Sequence, residues 1–221
     1  MKKTACLLIS TACLLGALGG ACAAHAEEDV VTANRQLLAA ARDSDAAAVQ
    51  AALAEGAAVD AKNRIGDTAL ITACKKGDAG IARVLVEHGA NVRWADAPGV
   101  TPLMAAAYGG YVPIVTLLLA HGADPLATDG VGKTAMEYAA GEGHTDVVQT
   151  LLDSGIDVNR AYKNDLTALM WAAGYDHADT IELLLARGAN RALRDNRGMT
   201  ALDIATQTGS THAAQALSAH P

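Results

Sequence analysis

Short apolar segments alternate with polar turns along this chain, and similar segments recur every 33 residues. Each of five copies opens with a threonine followed by small and apolar residues, which predicts a short helix with a threonine N-cap. A second apolar phrase ends in glycine and predicts another helix that stops at a left-handed residue. Self-similarity at this period is typical of repeat arrays, in which neighbouring copies bury one continuous core. The threonines are Thr68, Thr101, Thr134, Thr167 and Thr200, and the glycines are Gly89, Gly122, Gly155 and Gly188.

Other details of the phrases also favour closely packed helices. Pairs of alanines such as Ala106-Ala107 recur in the first helix and allow neighbouring helices to approach closely. Cys74 occupies the same small position, so we predict that its thiol is buried in the core. A degenerate first copy runs over residues 34–63, and the last copy lacks a leucine-rich second helix and reads as a terminating cap.

The recurring phrases, for example TPLMAAAYGGY followed by LLLAHGADP, resemble the ankyrin repeat. That family has the pattern G-x-T-P-L-H-x-A-A-x-x-G-H, then an apolar helix and G-A-D-V-N. The resemblance covers nearly all of residues 30–221 and implies an all-α fold. The implied architecture is an ankyrin-repeat solenoid of about six 33-residue helix–turn–helix repeats with β-hairpin loops. The approximate repeats are 30–62, 63–95, 96–128, 129–161, 162–194 and 195–221.

Several positions depart from the family pattern. In the fifth repeat, Asp165 replaces the glycine of the hairpin and Asp176 replaces the glycine between the two helices. Aspartate tolerates left-handed backbone better than most residues, so we expect the fold to persist there with local strain. The histidine that follows T-P-L in the family is also absent, and its position holds Ile71, Met104, Glu137, Met170 and Asp203.

The N-terminus predicts a cleavable export signal over residues 1–26. Lys2 and Lys3 precede an apolar stretch at residues 5–18, and an A-x-A motif ending at Ala26 is followed by acidic residues. Cleavage there leaves residues 27–221 as an exported ankyrin-repeat domain, expected in the periplasm. An uncut signal that anchors the chain, acylation at Cys22 and secretion are the alternatives that this pattern leaves open.

The charge of the chain limits the class of partner, and its cysteine content decides whether a disulfide can form. The chain has 17 basic and 24 acidic residues, a net charge of −7, and it has no phenylalanine. Removal of the signal takes two lysines and no acid, which leaves 15 basic against 24 acidic residues, or −9. Nucleic-acid binding needs a basic surface, so we expect no nucleic-acid partner. Cys74 would be the single cysteine of the mature chain, which therefore cannot form an internal disulfide.

Motifs that carry chemistry are weak in this sequence. Residues 127–134, ATDGVGKT, fit a loose phosphate-loop pattern, but Gly132 and Thr134 belong to the repeat and no strand is predicted before them. The paired histidines occupy equivalent positions of adjacent repeats, about 8–10 Å apart, which is too far to share one zinc ion. No motif places a nucleophile beside a base. We therefore predict no cofactor, no metal and no enzyme activity.

The aromatic residues are the strongest indication of a binding surface. All seven lie between residues 94 and 175, and none lies on the second helix of a repeat. Aromatic side chains are enriched in interface hot spots, although the position shared by Tyr138 and Trp171 is equally compatible with the core. The resemblance places Tyr108 and Tyr175 at positions that ankyrin proteins vary between partners. The candidate partner-binding residues are Trp94, Tyr108, Tyr111, Tyr138, Tyr162, Met170, Trp171, Tyr175 and Arg194.

Pattern and resemblance together predict a non-enzymatic protein–protein interaction module of the bacterial envelope. We expect a monomer that binds a folded protein partner through the concave face and hairpin tips of repeats 3–5. After signal cleavage we expect no membrane insertion. The sequence does not separate three roles: inhibitor or immunity protein, enzyme-supporting factor, and scaffold. A membrane-tethered structural protein is the first alternative, and an enzyme is the second.

Overall fold

The structure, a computed structural model, describes residues 19–219 and the side chains from residue 28 onward. Within this range the chain forms twelve α-helices and one 3-10 turn, Lys163–Asp165, and it has no β-strand. The predicted all-α repeat solenoid is therefore confirmed. The helices are α1 Gly19–Asp43, α2 Ala46–Ala54, α3 Ala69–Lys76, α4 Ala79–Glu87, α5 Pro102–Tyr108, α6 Val112–Ala120, α7 Ala135–Gly141, α8 Thr145–Asp153, α9 Ala168–Gly174, α10 Ala178–Ala186, α11 Ala201–Thr208 and α12 Thr211–Ala219.

The helices are arranged in two layers. The first helix of each pair, which we call the inner helix, packs against the inner helices before and after it, as α7 does against α5 and α9. The second helices pack against one another in the same order, as α8 does against α6 and α10. Each repeat therefore contacts its neighbours along the whole array, as expected for a solenoid.

Threonine N-caps begin five of the inner helices, as the sequence predicts. In α5 the side chain of Thr101 accepts a hydrogen bond from the N–H of Met104 at 3.3 Å, and the Thr101 backbone is extended. A cap of this kind stabilises a helix by about 1 kcal/mol. The same bond starts α3, α7, α9 and α11. Because these five inner helices start in the same register, residues 33 apart lie at equivalent points of neighbouring helices.

Small and branched side chains form the core. The alanine pairs of the inner helices are buried, and Ala106 and Ala107 expose no surface. Cys74 is also fully buried, which confirms the prediction for its thiol. Truncation of a large core side chain to alanine costs about 2–5 kcal/mol. Leucines and isoleucines with 2% exposure or less include Leu37, Leu70, Ile71, Leu85, Leu103, Ile114, Leu118, Leu151, Leu169, Ile181 and Leu184.

The loops between repeats are tight turns with little β-pairing. Within residues 19–219 the β-pairing is limited to one isolated bridge between Lys62 and Thr68. In the third repeat the N–H of Asp96 donates to the carbonyl of Val100 at 3.1 Å. The return bond goes to the Asp96 side chain, because the N–H of Val100 donates to Oδ1 at 2.7 Å. A side-chain acceptor thus takes the place of the second backbone bond that would begin a ladder.

Backbone hydrogen bonds also connect the tips of neighbouring turns. At three of the four junctions an N–H in a turn donates to a carbonyl in the preceding turn, and between the fourth and fifth turns Nζ of Lys163 donates to the carbonyl of Val131 at 2.7 Å. The bonds run from Ala97 to Ile65 at 3.1 Å, from Gly130 to Pro98 at 2.8 Å and from Asn196 to Asn164 at 3.0 Å.

The two aspartates of the fifth repeat adopt left-handed backbone, as expected. Asp165 has a φ of +58° and Asp176 a φ of +64°. Asn164 beside the first of them is left-handed as well, with a φ of +62°. Residue 162 is a tyrosine here, where other turns have an aspartate or asparagine that binds N–H groups inside the turn. The fifth turn accordingly contains the 3-10 segment.

Helix α1 runs through the predicted cleavage point at Ala26 and continues to Asp43. Its later part buries Ala33, Leu37 and Ala41 against the rest of the array. Lys2, Lys3 and the apolar stretch at residues 5–18 lie outside the described residues. Among the helices of residues 19–219, none combines the length and the apolar character needed to cross a membrane.

Candidate partner-binding site

Four aromatic side chains lie together on the inner helices of repeats 3–5. Tyr138 of α7 and Trp171 of α9 are 33 residues apart and occupy the same helical position. Tyr108 ends α5, and Tyr175 directly follows α9. We call Tyr108, Tyr138, Trp171 and Tyr175 the aromatic patch.

The rings of the aromatic patch contact one another in two pairs. Trp171 and Tyr175 are stacked, with ring centroids 6.0 Å apart and an angle of 11° between the planes. Tyr108 and Tyr138 meet edge to face at 5.9 Å and 85°. Such pairs contribute about 0.5–1.5 kcal/mol beyond their burial, so the rings are held in place before any partner arrives. Tyr108 and Tyr175 remain 56% and 57% exposed.

A lysine side chain joins the two ring pairs. The Nζ atom of Lys133 lies 4.4 Å from the ring centroid of Trp171 and 5.3 Å from that of Tyr138. An ammonium group at this distance is attracted by the negative face of the ring. Lys133 belongs to the fourth repeat and Trp171 to the fifth, so the contact crosses a repeat boundary.

The hydroxyl of Tyr138 is hydrogen-bonded to the loop at the start of the fourth repeat. It donates to Oδ2 of Asp129. Burial and then this carboxylate raise the pKa of Tyr138. Burial alone would also raise the pKa of Asp129, but the hydrogen bonds from Tyr138 and from the backbone of Lys133 outweigh it and lower that pKa. Asp129 is therefore ionised at neutral pH and uses both oxygens within the protein.

A buried carboxylate lies beneath the aromatic patch. Glu137 is 2% exposed, and its Oε2 accepts the N–H of Thr134 at 2.8 Å in a capping box that starts α7. Its Oε1 and the indole Nε1 of Trp171 are both buried, and the indole N–H acts to lower the pKa of Glu137. Burial raises the pKa of Glu137, whereas the Thr134 bonds and the charge of Lys133 act in the opposite direction.

The structure does not place all predicted site residues on this patch. Met170 is 2% exposed, so its prediction as a contact residue is wrong: the residue three after an N-cap threonine points into the core here. Tyr111 and Tyr162 are partly buried against the core. Trp94 is 41% exposed in the second repeat, with Lys62 over its ring at 3.9 Å. Arg194 is exposed and donates to the carbonyl of Gly198 at 2.6 Å.

The sequence analysis missed Lys133 as part of the site. It lies within the phosphate-loop-like segment 127–134, where no strand precedes α7, and its side chain lies on aromatic rings. The 33-residue repeat period could have indicated Lys133. Trp171 follows Lys133 by one repeat and five residues, which brings the end of one turn beside the inner helix of the next repeat.

The histidines of the repeats bind backbone carbonyls. Nε2 of His144 lies 2.8 Å from the carbonyl oxygen of Tyr108, and Nε2 of His177 lies 2.9 Å from that of Gly141. These bonds connect adjacent repeats. In the part of the chain that the structure describes, no three histidine, cysteine or acidic side chains are grouped in a way that could hold a metal ion.

The chain matches a known protein family over most of its length. A family model described as ankyrin repeats (3 copies) matches residues 37–129 and, a second time, residues 138–221. The curated proteins contain no match to the chain. Ankyrin repeats generally mediate protein–protein interaction and are typically not enzymes. The paired helices, the threonine N-caps and the two family matches agree, and the chain belongs to the ankyrin-repeat family.

Proposed function

We propose that this protein is a non-enzymatic module that holds a folded protein partner on the aromatic patch. The observation that carries the proposal is that four rings from three consecutive repeats lie side by side, and two of them are more than half exposed. Rings that are already fixed lose little conformational entropy on binding, and for this reason tyrosine and tryptophan dominate hot spots. The partner therefore contacts the inner helices of repeats 3–5.

The polar groups around the patch favour binding over catalysis. A catalytic site needs a nucleophile or base that is free to act on a substrate. The Tyr138 hydroxyl is bonded to Asp129 and has a raised pKa, and Glu137 is buried under the rings. These groups hold the rings in position and present no reactive atom to a ligand.

We further propose that the protein is exported to the periplasm and that its signal is removed after Ala26. Support comes from the charge and apolar pattern of residues 1–26. Intact mass and N-terminal sequencing of the protein from the envelope fraction test this. A chain beginning at Glu27 supports the proposal. A chain that retains residues 1–26, or that carries a lipid on Cys22, would mean a membrane-tethered protein.

The binding site is tested by affinity capture from the native envelope fraction. Wild-type protein is compared with a Tyr108→Ala, Trp171→Ala, Tyr175→Ala triple variant. A Val30→Ala, Val31→Ala variant serves as control, because these valines are exposed apolar residues on α1, away from the patch. We expect one protein to be captured by the wild type and the control and lost by the triple variant.

The affinity for the captured protein is then measured directly. Replacement of three hot-spot residues together should lower the affinity about a hundredfold or more. Equal affinity for all three proteins would contradict the proposed site. Assay of the partner's own activity with and without this protein then separates inhibition, support and scaffolding.

A further inference from the structure

One position of the inner helices is buried in four repeats and carries an acid in one of them. Three residues after the threonine N-cap, repeats 2, 3 and 5 have Ile71, Met104 and Met170, each 2% exposed or less. Repeat 4 has Glu137 there, at 2% exposure, whereas Asp203 of the last repeat is exposed. A carboxyl in a core position is costly unless a partner compensates it. Glu137 therefore needs a partner that the other buried copies lack.

The start of α7 does not account for Glu137. Thr134 and Glu137 form a capping box there, but α3, α5 and α9 begin with a threonine N-cap alone. A single side-chain cap is thus enough to begin an inner helix of this array. The capping box also uses Oε2 of Glu137, which leaves Oε1 for another donor.

A neighbouring position in the next repeat is exceptional in the same place. The 33-residue register sets the residue four after the following N-cap beside the buried position. Trp171 is the residue that this register sets beside Glu137, and it brings a buried N–H donor. The buried acid and the indole at these two positions thus occur together. The residues four after the N-cap in repeats 3–6 are Ala105, Tyr138, Trp171 and Ile204.

The two polar atoms of this pair have no other use within the described residues. Oε1 of Glu137 and Nε1 of Trp171 are both buried, and neither is hydrogen-bonded to any third residue there. Burial raises the pKa of Glu137, and the nearby indole N–H acts in the opposite direction. A buried N–H group that lacks an acceptor costs stability, and a carboxylate oxygen is a strong acceptor.

We infer that Glu137 is a positioning residue of the aromatic patch, whose Oε1 accepts the indole N–H of Trp171 and sets the orientation of that ring. Lys133 of the same repeat lies over the ring, with Nζ 4.4 Å from its centroid. Tyr175, stacked on Trp171 at 6.0 Å, takes its place from Trp171 in turn. The inference rests on the proposed function, because it names a residue that organises the same site from beneath.

Adjacent residues of α7 hold the two ring pairs of the patch. Tyr138 forms one pair with Tyr108, and Glu137 reaches the other pair through Trp171. One dipeptide of a helix therefore sets the spacing between the pairs. A partner that spans both pairs meets them in a fixed arrangement, so less conformational entropy is lost on binding. A buried acid that lowers stability is typical of a site kept for function.

The orientation of Trp171 is tested in the full chain by the indole N–H signals of a proton–nitrogen NMR spectrum. The chain has two tryptophans, so Trp94→Phe identifies the signal of Trp171. We expect this signal to exchange slowly with heavy water and to move in Glu137→Gln. Glutamine with its oxygen on Thr134 turns an NH2 group, a donor, toward the indole N–H. An unchanged Trp171 signal in this variant would overturn the inference.

The Trp171 signal should also follow the charge of Glu137. Because burial raises the pKa of Glu137, we expect a pH-dependent shift with a midpoint above 4.5. The pKa values of Tyr138 and Tyr162 are raised and that of Asp129 is lowered, so these neighbours do not titrate in that range. The nearby cation is Lys133. A signal without this shift, or the same shift in Glu137→Gln, would contradict the assigned role.

Affinity for the protein captured from the envelope fraction tests whether this orientation serves binding. We expect Glu137→Gln to bind about tenfold more weakly, because one freed side chain must be ordered again on binding. Glu137→Met introduces the residue of repeats 3 and 5 and should weaken binding likewise while the fold is kept. Wild-type affinity in both variants would refute the positioning role.

Asp203→Asn is the matched control. Asp203 forms a capping box with Thr200 at the start of α11, three residues after the N-cap as Glu137 is, but it is exposed. The control removes one negative charge from an equivalent capping box that faces no indole. It should bind the captured protein as the wild type does, and a loss equal to that of Glu137→Gln would overturn the inference.

A double-mutant cycle isolates the contact between the two side chains. Trp171→Phe removes the N–H donor, so adding Glu137→Gln to this variant should weaken binding no further. The same tenfold loss in the Trp171→Phe background would show that Glu137 acts in another way, and the inference would be wrong. Thermal unfolding of each variant confirms that it is folded.

The captured protein separates this inference from the proposed function. If the aromatic triple variant loses it but Glu137→Gln and Glu137→Met bind it with full affinity, the binding site stands and the role of Glu137 is refuted. If the triple variant retains it, the proposed function itself is wrong, and the role of Glu137 in binding falls with it whatever the indole signal shows.

Discussion

The carboxylate of Asp176 accepts a hydrogen bond from the ring of His212, with 2.7 Å between Oδ2 and Nδ1. Its other oxygen accepts the N–H of Ala213 at 2.8 Å. Asp176 lies between α9 and α10, whereas Ala213 lies in the first turn of α12. The fifth repeat thus caps α12. The hydrogen bonds, led by that of Ala213, lower the pKa of Asp176.

Replacement of Asp176 by alanine should loosen α12. Both hydrogen bonds are lost, and alanine is less suited than aspartate to the left-handed backbone at this position. We expect faster amide hydrogen exchange over residues 211–219, little change in α3 and α5, and an intermediate effect for Asp176→Asn. Unchanged exchange in α12 would contradict the capping role.

The carboxylate of Asp176 should also make the stability of α12 depend on pH. Because the folded pKa of Asp176 is below the ordinary value of 3.8, its stabilising contribution is present above pH 3.8. The contribution is lost as pH falls through the lowered folded pKa. The part of the difference in exchange between wild type and Asp176→Ala that comes from the carboxylate should therefore persist at neutral pH and be lost only in strong acid, where the backbone cost of alanine remains.

Replacement of Gly110 by alanine should be costly for two separate reasons. Gly110 has a φ of +74°, and an added Cβ would lie 2.6 Å from Nδ1 of His144, which binds the preceding repeat. Left-handed backbone at a residue other than glycine costs about 1–3 kcal/mol, and the displaced ring adds to that cost. Chemical denaturation measures the loss.

Gly89→Ala is the matched control for this prediction. Gly89 has a φ of +85°, but an added Cβ would meet no atom within 4 Å. It carries the backbone cost without the ring contact, so Gly110→Ala should be the more destabilising of the two. Equal losses would mean that the ring moves aside freely.

Glutamine at position 137 should make the protein more stable at pH 7. Burial raises the pKa of Glu137 above its ordinary value of 4.5, so the folded state holds this proton more tightly than the unfolded state does. Wild-type stability therefore falls as pH rises from 4.5 through the raised folded pKa. Glutamine keeps an oxygen for the N–H of Thr134 and carries no charge.

Urea denaturation of the Glu137→Gln variant at pH 7 and pH 4 checks the sign. The variant should exceed the wild type at pH 7, and the difference should shrink towards pH 4, where the wild-type carboxyl is protonated. Glu142→Gln, at an exposed residue just after α7, should change neither value. A variant less stable than the wild type at pH 7 would show that the charged carboxylate is favourable in the capping box.

The thiol of Cys74 should react only when the array opens. Cys74 is fully buried, and burial raises the pKa of its thiol, so the native protein holds little thiolate there. Iodoacetamide labelling with peptide mapping of Cys74 should be very slow in buffer and rapid in denaturant. Fast labelling under native conditions would instead show that α3 opens locally while the rest of the array stays folded.

The fold was accessible from the sequence because the repeat period imposes one geometry on every copy. Thr101 and Thr167 cap their helices in the same way, so a spacing of 33 translates directly into equivalent helical positions. The left-handed backbone at Asp165 and Asp176 followed from a comparison of copies. The loops were less predictable, because side chains such as Asp96 take hydrogen bonds that a hairpin would make through its backbone.

The candidate site was only partly predictable, because its contacts cross between repeats. Position in the repeat identified Tyr108 and Tyr175, yet it also selected Met170, whose side chain points into the core. Tyr111 was chosen as an aromatic residue, but its ring covers Gly77 and Gly109. Lys133 was missed because nothing within its own repeat indicates the ring of the next one.

Both tryptophans of the chain lie beneath a lysine ammonium group. Lys62 lies 3.9 Å from the ring centroid of Trp94, and Lys133 lies 4.4 Å from that of Trp171. Indole emission responds to a charge at such distances, so any occupant that moves one of these lysines alters the intrinsic fluorescence without a label. Trp94→Phe leaves Trp171 as the sole indole. The protein thus carries its own optical reporter at the surface where we place its partner.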